Sequence, residues 1–304
     1  MKGIGNLTKE NVTVVVHNGV FHADDVICVS LLRYYYGVPN VTVVRSRNPK
    51  DFESADYILD VGGKREVTVN QVWFDHHQNV TIYPNGVRRS ACGYLFDYMV
   101  DNGMILDVIL AEQFRSRVLY PVEAQDNGQD LVEGLDLMPN LFNFVPCMNP
   151  CWTKVSNGNE EFLQAVNMAD IIITNVIERL ESDVEACRIS VVGIANATDG
   201  IVELERFCQW QKTVIDYNKE NNGEIKFVIW YDYRGDQYMA QGVPLSTKTR
   251  DTQASFPSEL RGKTAEEINN ITGTSSAVFV HPTGFLGGWK DREELLKVLH
   301  GILS

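Results

Sequence analysis

Four short runs rich in β-branched and aromatic residues recur along the first part of the chain, and each stops at a turn. They are V-T-V-V-V at 12–16, V-T-V-V at 41–44, Y-I-L-D at 57–60 and Q-V-W-F-D at 71–75. A helix-like stretch, Val26 to Tyr36, follows the first, and more begin near Ser90, at about 105–120 and at about 160–187. Strands alternating with helices require a largely parallel sheet covered by helices, because parallel neighbours need long crossovers and bury both faces. Beyond Cys187 the texture changes: I-S-V-V-G-I-A, I-V-E-L, K-F-V-I-W-Y and S-A-V-F-V read as strands divided by Gly, Asp and Asn turns. The expected architecture is an α/β domain over residues 1–187, connecting helix included, and a smaller α+β domain over 188–304. A chain of 304 residues is long enough for two cores.

In open parallel sheets, ligands gather beyond the carboxyl ends of the strands. Three such ends carry side chains able to hold a metal. Run 12–16 leads into H-N-G-V-F-H-A-D-D at 17–25, run 57–60 ends on Asp60, and run 71–75 ends on Asp75 before His76 and His77. Asp126, in A-Q-D-N-G, follows a helix and precedes a glycine turn, within reach of the same place. Imidazoles mixed with carboxylates suit manganese, magnesium, cobalt or zinc, and a bridging acid would set two cations about 3.5–4 Å apart. Such a pair acidifies water and clamps the oxygens of a phosphoryl centre, so the expected chemistry is hydrolytic. Taken singly, each residue has a duller explanation: Asp24 and Asp25 suit a helix N-terminus, and strand-end acids make turns. The convergence of His17, His22, Asp24, Asp60, Asp75, His76 and His77 on three strand ends favours a site.

Charge narrows the substrate. Lys and Arg number 27 against 40 Asp and Glu, a net −13, the opposite of a duplex-binding surface. The six cysteines are too scattered for a disulfide framework, which suits a reducing compartment. Cys147 and Cys151, in C-M-N-P-C, have no second close pair to complete a zinc site and read as structural. The first fifteen residues lack a basic, then apolar, then cleavable pattern, and the longest apolar run, Ile171 to Ile173, is too short to span a bilayer. A cytoplasmic protein is expected.

Several motifs carry a resemblance. H-N-G-V-F-H-A-D-D at 17–25, D-V-G-G at 60–63, F-D-H-H-Q at 74–78, S-A-C-G-Y at 90–94, A-Q-D-N-G at 124–128 and F-V-H-P-T-G-F-L-G-G at 279–288 resemble, in order, the melanocyte proliferating gene 1 family. That family consists of metal-dependent exonucleases or hydrolases within the DHH phosphoesterase superfamily, named for its Asp-His-His signature. The resemblance spans essentially the whole chain and implies a DHH-type fold with two divalent cations, manganese foremost and magnesium, cobalt or zinc as alternatives. One would be held by His17, His22 and Asp60, the other by Asp24, Asp60, His76 and Asp126. Asp60 would bridge them, with a water activated in between. Asp75 would orient the histidines, and His77 would face the substrate phosphate, polarising it or protonating the leaving oxygen. The wider superfamily has His, three residues, Asp, one residue, Asp; here His17 is followed by four residues, His22, one residue and Asp24, as in the narrower family.

Phosphate contacts have several candidates. Arg88 and Ser90 precede the helix beginning near Ala91, whose free N–H groups would attract an anion, unless Ser90 is simply its N-cap. The segment from His281 resembles the family's C-terminal substrate segment; Gly287 and Gly288 would permit close backbone approach to a phosphate, while His281 and Lys290 would add charge. Arg261, in L-R-G-K, matches a family segment that often reads Trp-Arg-Gly, with Leu260 in place of the Trp. The resulting expectation is a two-metal phosphodiesterase, and the resemblance implies that it removes nucleotides from the 3′ end of short single-stranded RNA, or of DNA. Hydrolysis of pyrophosphate, a cyclic dinucleotide or a dinucleotide is the alternative, followed by a non-catalytic nucleotide-binding module. The expected partner is a short nucleic acid or a nucleotide, with no duplex DNA and no membrane, and self-association is left open.

Overall fold

The β-branched runs form strands. β1 (Val12–Val16), β2 (Val41–Arg45), β3 (Tyr57–Leu59), β4 (Arg65–Val67) and β5 (Val72–Phe74) make one sheet in the order β2-β1-β3-β5-β4. β1 runs parallel to β2 and β3, and β3 to β5; β4 alone is antiparallel, on the β5 edge. The computed structural model describes residues 9–79, 81–106, 108–131, 138–249 and 251–304, so the first eight residues, on which part of the leader reading rests, lie outside the described residues. The central strands show why their sequences read as continuous apolar runs. Val14 and Val16 enter the main core, whereas Val15 points to the opposite face, among Phe52, Ile58 and Trp73.

Helices α1 (Ala23–Tyr36), α2 (Pro49–Phe52), α3 (Ala91–Asp101), α4 (Val108–Phe114), α5 (Tyr120–Asp126) and the 37-residue α6 (Asn159–Ala195) complete this part of the chain. Phe21, Phe96, Phe114, Phe142 and Phe162 are fully buried in the main core, packed with the apolar sides of α1 and α3. The chain divides into two compact units, residues 1–181 and 182–304. Among the described residues no helix is long and apolar enough to cross a membrane, and the six cysteines are free thiols.

The second unit holds β6 (Ile201–Glu203), α7 (Gln211–Glu220), β7 (Phe227–Asp232), β8 (Gln237–Gly242), α8 (Ala265–Thr272), β9 (Ala277–Val280), β10 (Leu286–Trp289) and α9 (Arg292–Leu303). Its sheet runs β6-β7-β8-β10-β9, antiparallel except for β6 with β7. One expected strand is absent: I-S-V-V-G-I-A forms the last turns of α6. Its pattern is helical once its neighbours are known. Ile189 and Ser190 are buried and Val191 and Val192 exposed, while Gly193 sits so close to Val202 that an added Cβ would lie 2.9 Å from that side chain. Packing overrides the β-branched preference of the segment.

α3 is seated by a close approach at Gly93. A Cβ there would fall directly on the Glu123 carboxylate and 2.7 Å from the Tyr83 hydroxyl. Glu123 cannot retreat without releasing the Ser90 amide, which donates to its Oε1 at 2.9 Å. Gly93→Ala is therefore expected to destabilise the protein by about 1–3 kcal/mol, the range for overpacking a filled interior. Urea unfolding in EDTA reads this directly, and a loss below about 0.5 kcal/mol would show that α3 can shift.

Candidate metal centre

Because β1, β3 and β5 are parallel neighbours, the segments leaving their carboxyl ends meet at one edge of the sheet. His17 follows β1; its Nδ1–H donates to the Asn18 carbonyl at 3.2 Å, so in the neutral ring the lone pair is on Nε2, which faces Asp25 and Asp60. His22 precedes α1, and its backbone N–H donates to Asp25 Oδ1 at 3.0 Å, fixing the start of the helix. Asp60, just past β3, has φ 55°, a left-handed conformation that costs free energy in a residue other than glycine and often marks a functional site. The Gly62–Gly63 turn that follows delivers the Gly63 amide to Asp75 Oδ2 at 2.8 Å.

These segments bring the donor atoms together. His17 Nε2 lies 3.3 Å from Asp60 Oδ2, and His76 Nε2 lies 3.4 Å from Asp60 Oδ1 and 3.0 Å from Asp126 Oδ2. His22 Nδ1 is 3.5 Å from Asp126 Oδ1. Among the described residues, three sets have all their donor atoms within 4.8 Å of one another: His17, His22 and Asp60; Asp24, His76 and Asp126; and Asp60, His76 and His77. Both carboxylate oxygens of Asp60 and both ring nitrogens of His76 are buried without a hydrogen-bond partner. Such groups cost several kcal/mol each unless a counter-charge compensates them. Donors about 2.0–2.3 Å from a shared cation stand about 3.0–3.6 Å from each other, so these separations fit divalent metal ions.

The protonation balance shows the same demand for cations. Burial pushes Asp24 up to about 7, and the charges of Asp60 and Asp126 add to the rise. Burial also opposes ionisation of Asp60, but the His17 and His76 imidazoles, 3.3 and 3.4 Å away, hold its carboxyl well below the usual range. For His76, burial disfavours the proton, yet Asp126 and Asp60 bring it up to about 11. Carboxylates crowded around imidazoles hold protons where a divalent cation would otherwise sit, and metal uptake releases them.

Asp75 acts on one histidine rather than on both. Its Oδ1 accepts from His77 Nδ1 at 2.7 Å and from the His77 amide at 3.0 Å, and no hydrogen bond links it to His76 among the described residues. The His77 side chain is 63% exposed and opens onto a pocket of about 440 Å³, lined by Asp60, Asp75 and Arg47 among others.

The anion site expected at α3 is already filled by the protein itself. Asp24 Oδ1 accepts from Ser90 Oγ at 2.6 Å and Cys92 N at 2.7 Å, Asp24 Oδ2 accepts from Ala91 N at 3.0 Å, and Glu123 takes the Ser90 amide. Ser90 is fully buried, and its hydroxyl is given to Asp24. Arg88 is exposed, with its amide donated to Gln129 Oε1 at 2.7 Å.

In the second unit, Gly287 and Gly288 lie inside β10, paired with Ala240 and Met239 of β8. A Cβ would come within 2.9 Å of Phe256 at Gly287 and 2.7 Å of Gln237 at Gly288. The close approaches of Phe256 and Gln237 show what these two positions pack against in the sheet. Lys290 is exposed just past the strand. Arg261 and His281 do come together, lining a cavity of about 740 Å³ with Thr252, Thr283 and Phe285 among others; neither the two glycines nor Lys290 line it.

Two buried acids fall outside the expected ligand set, Asp25 in the first turn of α1, which the sequence offers as a helix N-terminal charge, and Glu123 in α5. An acid in a first helical turn looks like an ordinary dipole partner, and nothing in one sequence signals its burial.

The profile of an uncharacterised protein family, MYG1 exonuclease (UPF0160), matches residues 13–302. The MYG1 protein YER156C of Saccharomyces cerevisiae is 26% identical, covering 96% of this chain and 95% of the yeast chain. The MYG1 exonuclease of Mus musculus is 26% identical over 95% of this chain and 84% of its own. Among solved structures, a Vibrio pGpG-specific phosphodiesterase aligns over 96% of this chain and 98% of its own at 16% identity with a TM-score of 0.31, too loose a match to carry an argument.

Proposed function

This chain belongs to the MYG1 exonuclease family, and on that premise we propose that it is a DHH-type phosphoesterase that removes nucleotides from the 3′ end of short single-stranded RNA or DNA. His17, His22 and Asp60 would hold one divalent cation, and Asp24, Asp60, His76 and Asp126 a second, with manganese foremost for this mixed imidazole and carboxylate set. When bound, the cations supply Lewis acidity, lowering the pKa of water and neutralising charge on the phosphoryl oxygens. The observation that carries the reading is Asp60, buried between His17 and His76 with neither oxygen hydrogen-bonded.

The chain's own groups do the rest. Asp75 holds His77 through Nδ1, so Nε2 faces the pocket and can deliver a proton to the leaving oxygen, while the carboxylate stabilises the protonated ring. Ser90 and the α3 amides keep Asp24 in place. Residues 1–187 would carry the chemistry and 188–304 substrate contacts, with Arg261 and His281, which line one cavity, offering charge to an anionic group. The net charge of −13 favours a second reading, a small phosphorylated substrate such as a dinucleotide, over a long strand.

Manganese-dependent release of mononucleotides from two-nucleotide and twenty-nucleotide RNA tests both readings. Preference for the shorter substrate supports the second, and no turnover with any divalent cation sinks both. His77→Ala is expected to lower kcat by about 10²–10³-fold, the usual worth of a general acid, with manganese binding unchanged by calorimetry. An unaltered kcat would remove His77 from the reaction.

A further inference from the structure

We propose that Asp25 is an additional ligand of the cation assigned above to His17, His22 and Asp60. The inference rests on the two-metal reading and adds to it a residue that reading leaves out.

Asp25 is wholly buried at the start of α1. Its Oδ1 is occupied by the His22 amide at 3.0 Å. Its Oδ2 has no hydrogen-bond partner and lies 3.3 Å from His17 Nε2, the same separation that divides Nε2 from Asp60 Oδ2. Since the His17 Nδ1–H is donated to the Asn18 carbonyl, Nε2 presents a lone pair between two carboxylate oxygens. Two carboxylate oxygens thus stand 3.3 Å from one imidazole nitrogen, and 3.3 Å is the separation of neighbouring ligands on one divalent cation. A carboxylate that merely favoured the helix N-terminus would gain by facing water; this one is removed from it entirely.

Charge balance points the same way. The second cation has Asp24 and Asp126 to itself as well as a share of Asp60. The first, without Asp25, would have two neutral imidazoles and only the shared carboxylate. Asp25 gives each cation a carboxylate that is not shared.

Asp25→Asn keeps an oxygen for the His22 amide but puts an NH₂ group, which has no lone pair to offer a cation, where Oδ2 stood. Titration of metal-free protein with manganese should give two ions per wild-type chain. In the variant one ion should bind as before and the other at least tenfold more weakly, and the manganese-induced rise in melting temperature should shrink. Asp25→Ala, which places no amide opposite His17, should show the same selective loss. A loss confined to the Asn variant would mean that its amide merely sequesters His17, and would overturn the assignment, as would two ions bound with wild-type affinities by both variants. No manganese uptake by the wild type would instead overturn the two-metal reading itself.

Discussion

Asp60→Asn is expected to lower kcat by at least about 10³-fold, a loss of roughly 4 kcal/mol of transition-state stabilisation, and to weaken the uptake of both cations while leaving the fold intact. Asn is, after glycine, among the residues most tolerant of the left-handed conformation, so the backbone at φ 55° should survive the change. What changes is chemical. Asp60 Oδ2 faces His17 and Oδ1 faces His76, so one carboxylate supplies a negative oxygen to each half of the cluster. An amide leaves only one acceptor oxygen and no charge, which deprives one half of its donor and both halves of their shared counter-charge. Above about pH 4 the metal-free variant should unfold somewhat more readily than wild type, because the carboxylate that His17 and His76 keep ionised is replaced by a neutral amide. Circular dichroism, manganese calorimetry and kcat on a dinucleotide at saturating manganese read the three parts separately. Turnover within tenfold of wild type would show that Asp60 does not join the two halves.

The part of this site that was legible in the sequence is the part written by topology. Parallel strands put their carboxyl ends on one edge, and a chain whose strands end at His17, Asp60 and Asp75 displays those side chains there whatever its helices do. Asp126 was legible only as an acid before a turn, because its approach to His76 depends on how α5 packs. Glycine-rich segments are ambiguous, since Gly-Gly at 287–288 fits a phosphate loop and a tightly packed strand equally well, and only the fold sets Phe256 and Gln237 against it. Ser90 fits both an anion site and a cap, and Asp24, sixty-six residues away in sequence, decides the matter. The I-S-V-V-G-I-A segment failed for the same reason. Its β-branched residues satisfy a strand locally, and the packing of Gly193 beside Val202 makes it a helix. Asp25 and Glu123 are informative because they are buried, and burial belongs to the fold rather than to the spacing of residues.

Glu123→Gln should make the metal-free protein more stable at pH 8–9 and leave it nearly unchanged near pH 4.5. Burial pushes the Glu123 carboxyl from 4.5 up to about 8, with nearby Asp24 adding to the rise and the Ser90 amide and Arg89 opposing it. The folded chain therefore keeps a proton that the unfolded chain gives up, and the stability present below pH 4.5 is lost progressively as pH rises to about 8. At about 1.4 kcal/mol per pH unit this loss is on the order of 4–5 kcal/mol. A glutamine is neutral throughout, so the loss attributable to this position disappears, and its side-chain oxygen can still accept the Ser90 amide that Glu123 Oε1 accepts now. Asp24, raised to about 7, and His76, raised to about 11, lose stability in the same direction as pH rises, over roughly pH 4–7 and 6.5–11. The wild-type slope should thus be steep, and the variant should keep only the portion due to those groups. Urea midpoints for both proteins at pH 5, 6.5 and 8 in EDTA separate the contributions. Parallel profiles would mean that water reaches Glu123 when it ionises. That would in turn require the Ser90 clamp on α3 to open, because the carboxylate that takes the Ser90 amide is the same one that seats against Gly93.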